Sequence, residues 1–181
     1  MTLEPLAERH AALTFDCWQD ERLYAFIPFD PPGKLGTLEK RYRELSTRRS
    51  PDGSEEWLNW FLKKKSDDEY VGLVQATIRR DSSADLAYFT FAAHWRNGFA
   101  HEGCRAVVEF LLHRRGVREI VAEIDARNLA SQRLIEKLGF RQAAFTPNAA
   151  VIRGVASDEY RYVLGPNDWK RRIQVKQISP A

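Results

Sequence analysis

The chain has 181 residues, of which 44% are hydrophobic and 12% aromatic, and its formal net charge at pH 7 is +3. These values are typical of one globular domain with a full core, and they exclude a disordered or low-complexity protein. No apolar run reaches the roughly 18 residues that span a bilayer, and the N-terminus has no signal-peptide core. We therefore expect a cytoplasmic protein with no membrane partner, and the small charge gives no reason to expect nucleic acid.

The first 50 residues are predicted to be mainly helical. The apolar spacing indicates two short helices, over about residues 7–15 and 18–26. Three prolines then fall within residues 28–33, where the chain cannot remain helical. Thr37 is predicted to cap a third helix, whose apolar face comprises Leu38, Tyr42 and Leu45. A turn over Ser50-Pro51-Asp52-Gly53 ends this part of the chain.

From about residue 56 onward the pattern changes to β structure. On the third predicted strand, Phe89 and Phe91 alternate with Tyr88 and Thr90, so we expect the two pairs to lie on opposite faces of the sheet. The predicted strands cover residues 57–62, 70–78, 86–92, 117–125, 140–145 and 158–164.

A loop of small residues follows the third predicted strand. Gly98, Ala100 and Gly103 come just before a helix whose apolar face comprises Cys104, Val107, Val108, Leu111 and Leu112. Free backbone N–H groups and the positive end of the dipole make such a helix start suitable for binding phosphate. By itself, the same pattern also fits an ordinary tight turn followed by a helix.

A second motif follows at a fixed spacing. Gly116 is predicted to end the first helix, and a strand leads from it to Asn128. Asn128 is a good N-cap for a second helix, which Gly139 and Phe140 close. The apolar residues of this helix are Leu134, Ile135 and Leu138.

The order of these elements resembles the GNAT superfamily of coenzyme-A-dependent N-acetyltransferases. The run from Trp95 to Ala100 looks like the pyrophosphate loop of that family, and residues 128–140 look like its second cofactor segment. Trp95, Glu102 and Ser131 make the chain most similar to the branch that contains the ribosomal-protein alanine N-acetyltransferases.

The resemblance implies a fold and a cofactor. We expect a single α/β domain over residues 1–165, with a mixed, mainly antiparallel sheet that is splayed at the cofactor strand and flanked by helices, and a loose basic tail over residues 166–181. Acetyl-CoA is the implied cofactor, and exposed backbone groups near Phe91 and Ala92 are expected to hold its pantetheine arm. The predicted cofactor-binding residues are Phe91, Ala92, Arg96, Asn97, Gly98, Phe99, Ala100, His101, Glu102, Asn128 and Ser131.

The resemblance also suggests catalytic roles for direct attack of an amine on the thioester. Many GNAT enzymes carry a tyrosine acid at the position of Ile135, so Ser131 is the nearest group that could serve the leaving thiolate. The alternative is that Ser131 only satisfies backbone groups at the helix start. Glu123 and Asp125 share one face of their strand and are candidate bases, and the alternative is that they are exposed or salt-bridged carboxylates at the end of the strand.

The acceptor is expected to be the α-amine of a peptide or protein N-terminus, because its pKa near 8 leaves it neutral more often than lysine at about 10.4. A free small amine, such as an amino acid, a polyamine or an aminoglycoside, is the alternative, and a non-catalytic acyl-CoA-binding module is the rival outside the enzymes. Phe29 and Tyr160 are predicted to line the acceptor site. A homodimer is left open.

No metal site is predicted, because the four histidines show no ligand spacing and have no cysteine partners. Cys17 and Cys104 are expected to be free thiols.

Overall fold

In residues 1–170, which the computed structural model describes, seven strands form one sheet in the order β1-β2-β3-β4-β5-β7-β6. All neighbouring strands are antiparallel except β4 and β5, which are parallel. The predicted fold class, a mixed and mainly antiparallel sheet flanked by helices, is confirmed. The strands are β1 (Thr2–Pro5), β2 (Glu55–Lys63), β3 (Tyr70–Arg79), β4 (Ser83–Thr90), β5 (Glu119–Asp125), β6 (Arg141–Ile152) and β7 (Val155–Leu164).

The helices divide between the two faces of the sheet. Helices α3 (Phe99–Arg114) and α4 (Leu129–Leu138) share one core with the sheet, and α1 (His10–Thr14) and α2 (Leu35–Ser46) share the other. We call these sides the α3 face and the α2 face. On β4 the alternation is as predicted, since Tyr88 packs on the α3 face while Phe89 and Phe91 pack on the α2 face. No helix within residues 1–170 is long and apolar enough to cross a membrane.

The sheet is splayed between its two parallel strands, as predicted. Pairing joins Ser83–Asp85 of β4 to Glu119–Val121 of β5 and then stops. Beyond this point β4 runs on to Thr90 and β5 to Asp125 without a shared ladder. We call the resulting gap the β4–β5 opening. Because the backbone groups that border it have no strand partner on that side, it is the natural place in the sheet for an extended ligand.

Several boundaries differ from the sequence prediction. The first strand, β1, was not predicted, because only its pairing with Trp60–Lys63 of β2 makes so short a segment a strand. Helix α1 is shorter than predicted, and two 3₁₀ turns, Asp16–Gln19 and Glu21–Tyr24, replace the second helix. Helix α2 begins at Leu35, so Thr37 lies inside its first turn and is not its cap.

The C-terminal prediction also needs correction. Strands β6 and β7 are both longer than predicted, because they pair with each other almost to the turn that joins them. Residues 166–170 are helical, and Trp169, only 2% exposed, is buried in the core of the α3 face. A loose tail therefore does not begin at residue 166, and the rest of the predicted tail lies outside the described residues.

The side chain of Glu4 links β1 to helix α1 and to β3 by hydrogen bonds. Its carboxylate accepts a hydrogen bond from the Tyr70 hydroxyl at 3.0 Å, and it lies 3.0 Å from Nε2 of the fully buried His10. Arg9 donates to the same carboxylate. Partial burial raises the pKa of Glu4, but the hydrogen bonds from Arg9, His10 and Tyr70 outweigh it and lower the pKa to about 2.

Glu4→Gln should reduce the free energy of unfolding by about 2 kcal/mol at pH 7, because it removes hydrogen bonds to a charged group. The pKa of Glu4 lies below its ordinary value of 4.5, so its stabilisation is complete above about pH 5 and disappears as pH falls towards 2. Urea unfolding of both proteins at pH 7, 5 and 3 should therefore give a difference that shrinks with pH. Glu8→Gln, which removes an exposed pair with Arg43, is the control and should change stability little. Equal losses in both variants would contradict this role of Glu4.

Candidate active site

The end of β4 and the two residues that follow it form one side of the β4–β5 opening. The Phe91 N–H donates to the Val71 carbonyl on β3 at 2.9 Å, and the Phe91 carbonyl accepts from His94. Phe91 is also buried, against Trp18. Both backbone groups of Phe91 therefore already have one partner within the protein. The N–H of Ala92 has no partner among residues 1–170, and alternation along β4 directs the N–H of Thr90 towards β5.

The loop before α3 has the geometry of an anion site. Gly98 is the N-cap of α3 with φ +81°, and its carbonyl accepts the first helical hydrogen bond, from the Glu102 N–H at 3.0 Å. The N–H groups of Phe99, Ala100 and His101 precede this bond and lie at the open end of the helix. Arg96 and Asn97 are exposed beside them, and the Arg96 backbone also has a positive φ.

Glu102 differs from the other predicted members of this loop. Its N–H is used by the helix, and its carboxylate accepts from the Met1 amino group at 2.9 Å. Glu102 therefore has no donor left for a phosphate, and its negative charge would oppose one. We expect it to order the loop and not to contact an anion directly.

The start of α4 brings together two predicted residues and one that was missed. Asn128 caps the helix, as predicted, by accepting the Ser131 N–H on Oδ1 at 3.1 Å. The Ser131 hydroxyl lies 2.5 Å from the hydroxyl of Tyr88, which reaches it from β4. Ser131 therefore does not serve as the helix cap, and its hydroxyl contacts the side chain of Tyr88. Burial raises the pKa of Tyr88, so its phenol is neutral at pH 7.

Both predicted bases are engaged by arginines. Glu123 is exposed and accepts from Arg161 at 3.0 Å. The buried Asp125 accepts from Arg127 and, at 2.6 Å, from the Ser157 hydroxyl. Burial raises the pKa of Asp125, but the bonds from Arg127 and Ser157 outweigh it and hold the pKa below its usual value. Asp125 is consequently a weak base.

A third carboxylate, that of Glu159, lies close to the two predicted bases. It lies on β7 directly opposite Asp125 of β5, and it is half-buried without a cationic partner in the described part of the chain. Burial, followed by the charges of Glu123 and Asp125, raises its pKa. Its neighbour Tyr160 packs on the α3 face, so alternation places Glu159 on the α2 face.

The two predicted acceptor residues do not share a site. Phe29 is 67% exposed, and its carbonyl accepts from Arg153 in the β6–β7 turn at 3.5 Å, which brings the proline-rich loop to this hairpin. The ring of Tyr160 instead packs against Phe145 and Tyr162 on the α3 face. Sequence alternation along β7 could have separated Tyr160 from Glu159, because adjacent strand residues point to opposite faces.

Comparison with known proteins agrees with the geometry. Residues 1–141 match the family described as Acetyltransferase (GNAT) domain. Over 133 residues the chain is 32% identical to the "Probable N-acetyltransferase YjcK" of Bacillus subtilis, covering 71% of this chain and 72% of that protein. Over 144 residues it is 23% identical to the "Uncharacterized N-acetyltransferase YoaA" of the same organism, covering 78% and 80%.

The fold is also similar to solved structures. The chain superposes on the spermidine N-acetyltransferase from Vibrio cholerae in complex with CoA and spermine with a TM-score of 0.80 and 17% identity, covering 93% of this chain and 97% of that one. At this identity the likeness concerns the fold. These relatives support the wider family and do not single out the ribosomal-protein branch.

Gly98→Val should weaken coenzyme A binding at least about tenfold, because a β-branched residue disfavours the positive φ that directs the loop N–H groups towards the anion. Calorimetric titration of the folded variant with coenzyme A checks this. Gly53→Val is a matched control, since Gly53 also has a positive φ and, like Gly98, open space around it. It should lose similar stability and keep its affinity. Unchanged affinity in folded Gly98→Val would remove the proposed phosphate site.

Proposed function

The chain belongs to the GNAT acetyltransferase family, and on this premise we propose that it acetylates the primary amine of a small, positively charged acceptor. As a member of the family it is an acyltransferase that uses acetyl-CoA. The observation that carries the choice of acceptor is Glu159, a half-buried carboxylate beside Glu123 and Asp125 that has no cationic partner in residues 1–170.

The residues of the loop and the opening fit the cofactor. The N–H groups of Phe99 and Ala100 at the start of α3 suit the pyrophosphate, and the Ala92 N–H suits the pantetheine arm or the thioester carbonyl. Bound acetyl-CoA supplies an activated acetyl group at the β4–β5 opening. Arg96 adds a positive charge beside the loop.

Glu159 supplies what the acceptor amine needs. An aliphatic amine is protonated at neutral pH and must lose a proton before it can attack a carbonyl carbon. The raised pKa of Glu159 makes it a better proton acceptor than Asp125, directly or through one water. At the other end of the reaction, the Ser131 hydroxyl would hydrogen-bond to the leaving sulfur.

The charge of this site favours an acceptor with more than one cationic group. Glu159 can take the proton of the reacting amine, and the exposed Glu123 is available to a second ammonium group in exchange with Arg161. The spermidine N-acetyltransferase from Vibrio cholerae, whose fold this chain shares, acts on an amine of this class.

A second candidate acceptor is the α-amine of a peptide or protein N-terminus. Its pKa near 8 lets it be deprotonated more easily than a polyamine nitrogen. The exposed Phe29 beside the β6–β7 turn would give an apolar contact for a first side chain. This candidate retains the similarity to the ribosomal-protein branch that Trp95, Glu102 and Ser131 suggest.

Rates measured with chosen pairs of amine acceptors distinguish the two candidate functions. We expect kcat/KM to be at least about tenfold higher for 1,4-diaminobutane than for 1-aminobutane, because the two differ only in the second cationic group. The kcat/KM for a peptide with a free N-terminus and a blocked lysine should be lower than that for the diamine. The kcat/KM for a peptide with a blocked N-terminus and a free lysine should be lower still. Release of free thiol from acetyl-CoA measures each rate. A clear preference for the free N-terminus would select the second candidate, and no transfer to any amine would contradict both.

Glu159→Gln should lower kcat/KM by about a hundredfold, the low end for loss of a general base. The base acts as the carboxylate, so wild-type activity should fall as pH drops through a pKa that lies above the ordinary glutamate value, and this acid limb should disappear in the variant. Glu119→Gln, an exposed change elsewhere on β5, should leave rate and profile unchanged. If Glu123→Gln removes the acid limb and Glu159→Gln does not, Glu123 is the base.

A further inference from the structure

The pair formed by Tyr88 and Ser131 joins β4 to α4. The Tyr88 Oη lies 2.5 Å from the Ser131 Oγ and 3.2 Å from the Ser131 carbonyl oxygen. The Ser131 N–H is already held by Asn128, so the position of the serine is fixed from two sides. Tyr88 comes from the part of β4 beyond the last β4–β5 pair, which places this contact at the opening.

Only one arrangement of hydrogens lets this pair serve a leaving sulfur. If Ser131 donates to Tyr88, the tyrosine can donate to the Ser131 carbonyl, and both hydroxyl hydrogens are used within the protein. If Tyr88 donates to the Ser131 Oγ, the serine hydrogen becomes free to point elsewhere. Negative charge developing on a nearby sulfur favours the second arrangement, because it offers the serine a charged acceptor.

We propose that Tyr88 is a positioning residue that donates a hydrogen bond to Ser131 and thereby directs the Ser131 hydroxyl at the leaving sulfur of the thioester. The inference rests on the proposed function. In this step the amine nitrogen forms a bond to the acetyl carbon, the carbon–sulfur bond breaks, and its electron pair goes to sulfur. The amine proton goes to the base, the thiolate accepts the Ser131 hydrogen bond, and water supplies the proton with which the thiol finally leaves.

With this arrangement, a tyrosine takes part in the step even though position 135 carries a buried isoleucine. The family resemblance places an acid tyrosine there, but Ile135 is 0% exposed and belongs to the core of the α3 face. The Tyr88 phenol reaches the start of the same helix from the strand on the other side of the opening. Because burial raises its pKa, Tyr88 keeps its hydrogen at neutral pH and remains a donor.

Tyr88→Phe should lower kcat by about tenfold and change the KM for acetyl-CoA by less than about twofold, as expected for loss of a hydrogen bond made in the transition state. Tyr162→Phe is the matched control. Tyr162 also lies on the α3 face and donates to α4, at Glu136, but it does not touch Ser131. It should lose comparable stability and keep its kcat. Equal kcat in Tyr88→Phe and Tyr162→Phe would overturn the proposal.

Two further measurements separate positioning from folding. If Tyr88 acts through Ser131, the double variant with Ser131→Ala should be no slower than Ser131→Ala alone, whereas independent effects would multiply. The acetyl selenoester of coenzyme A should also restore most of the lost rate, because a selenolate is less basic than a thiolate and leaves with less help. If Tyr88→Phe does not fold, Ser131→Ala with the selenoester tests the same step.

Additive losses in the double variant, or no relief by the selenoester in Ser131→Ala, would overturn the assignment. Failure of the proposed function has a different signature. In that case the wild-type protein would itself release no thiol from acetyl-CoA with any amine, whereas failure of the present inference leaves the turnover of the wild-type protein intact.

Discussion

The structure depends on a parallel pairing that stops early. Strands β4 and β5 share only the register from Ser83–Asp85 to Glu119–Val121, and the remainder of each strand diverges from the other. A backbone edge inside a sheet needs partners, because unpaired N–H and C=O groups are unfavourable once water is excluded. A ligand that can add hydrogen bonds along the edge of β4 supplies them. Under the proposed function, the opening determines where the cofactor lies and which side chains can reach its reactive end.

Two helices begin at this opening, and they differ in whether a side chain caps the first turn. Helix α3 starts at Gly98 with no side-chain cap, so the N–H groups of Phe99 and Ala100 are not used by a capping side chain. Helix α4 starts at Asn128, which satisfies the Ser131 N–H. The capped start leaves the serine hydroxyl available to other groups, while the uncapped start leaves backbone donors available. Under the proposed function, the N-cap residue of each helix therefore decides whether backbone N–H groups or a side-chain hydroxyl face the cofactor.

Local signals predicted the parts of this site that depend on local structure. The Asn128 cap, the Gly98 loop and the αL end at Gly139 were predictable because each depends on residues a few positions apart. The contact of Tyr88 with Ser131 and the place of Glu159 opposite Asp125 depend on strand register and on the packing of α4. No periodicity in a single sequence fixes that register. The same reason explains the missed β1, which is a strand only because β2 lies beside it.

The short β4–β5 ladder also has a consequence for how the chain folds. Strands β2, β3 and β4 are joined by local hairpins and leave the ribosome before the segment β5-α4-β6-β7, so the two groups of strands can form in sequence. The two groups meet at three β4–β5 residue pairs, at the contact of Tyr88 with Ser131 and in the core of the α3 face. A cofactor held in the opening, as we propose, would contact both groups of strands and bind only when they are docked. Part of the binding free energy of the cofactor would therefore stabilise the docking of the two groups of strands. The unliganded enzyme would be the state most exposed to partial unfolding and proteolysis.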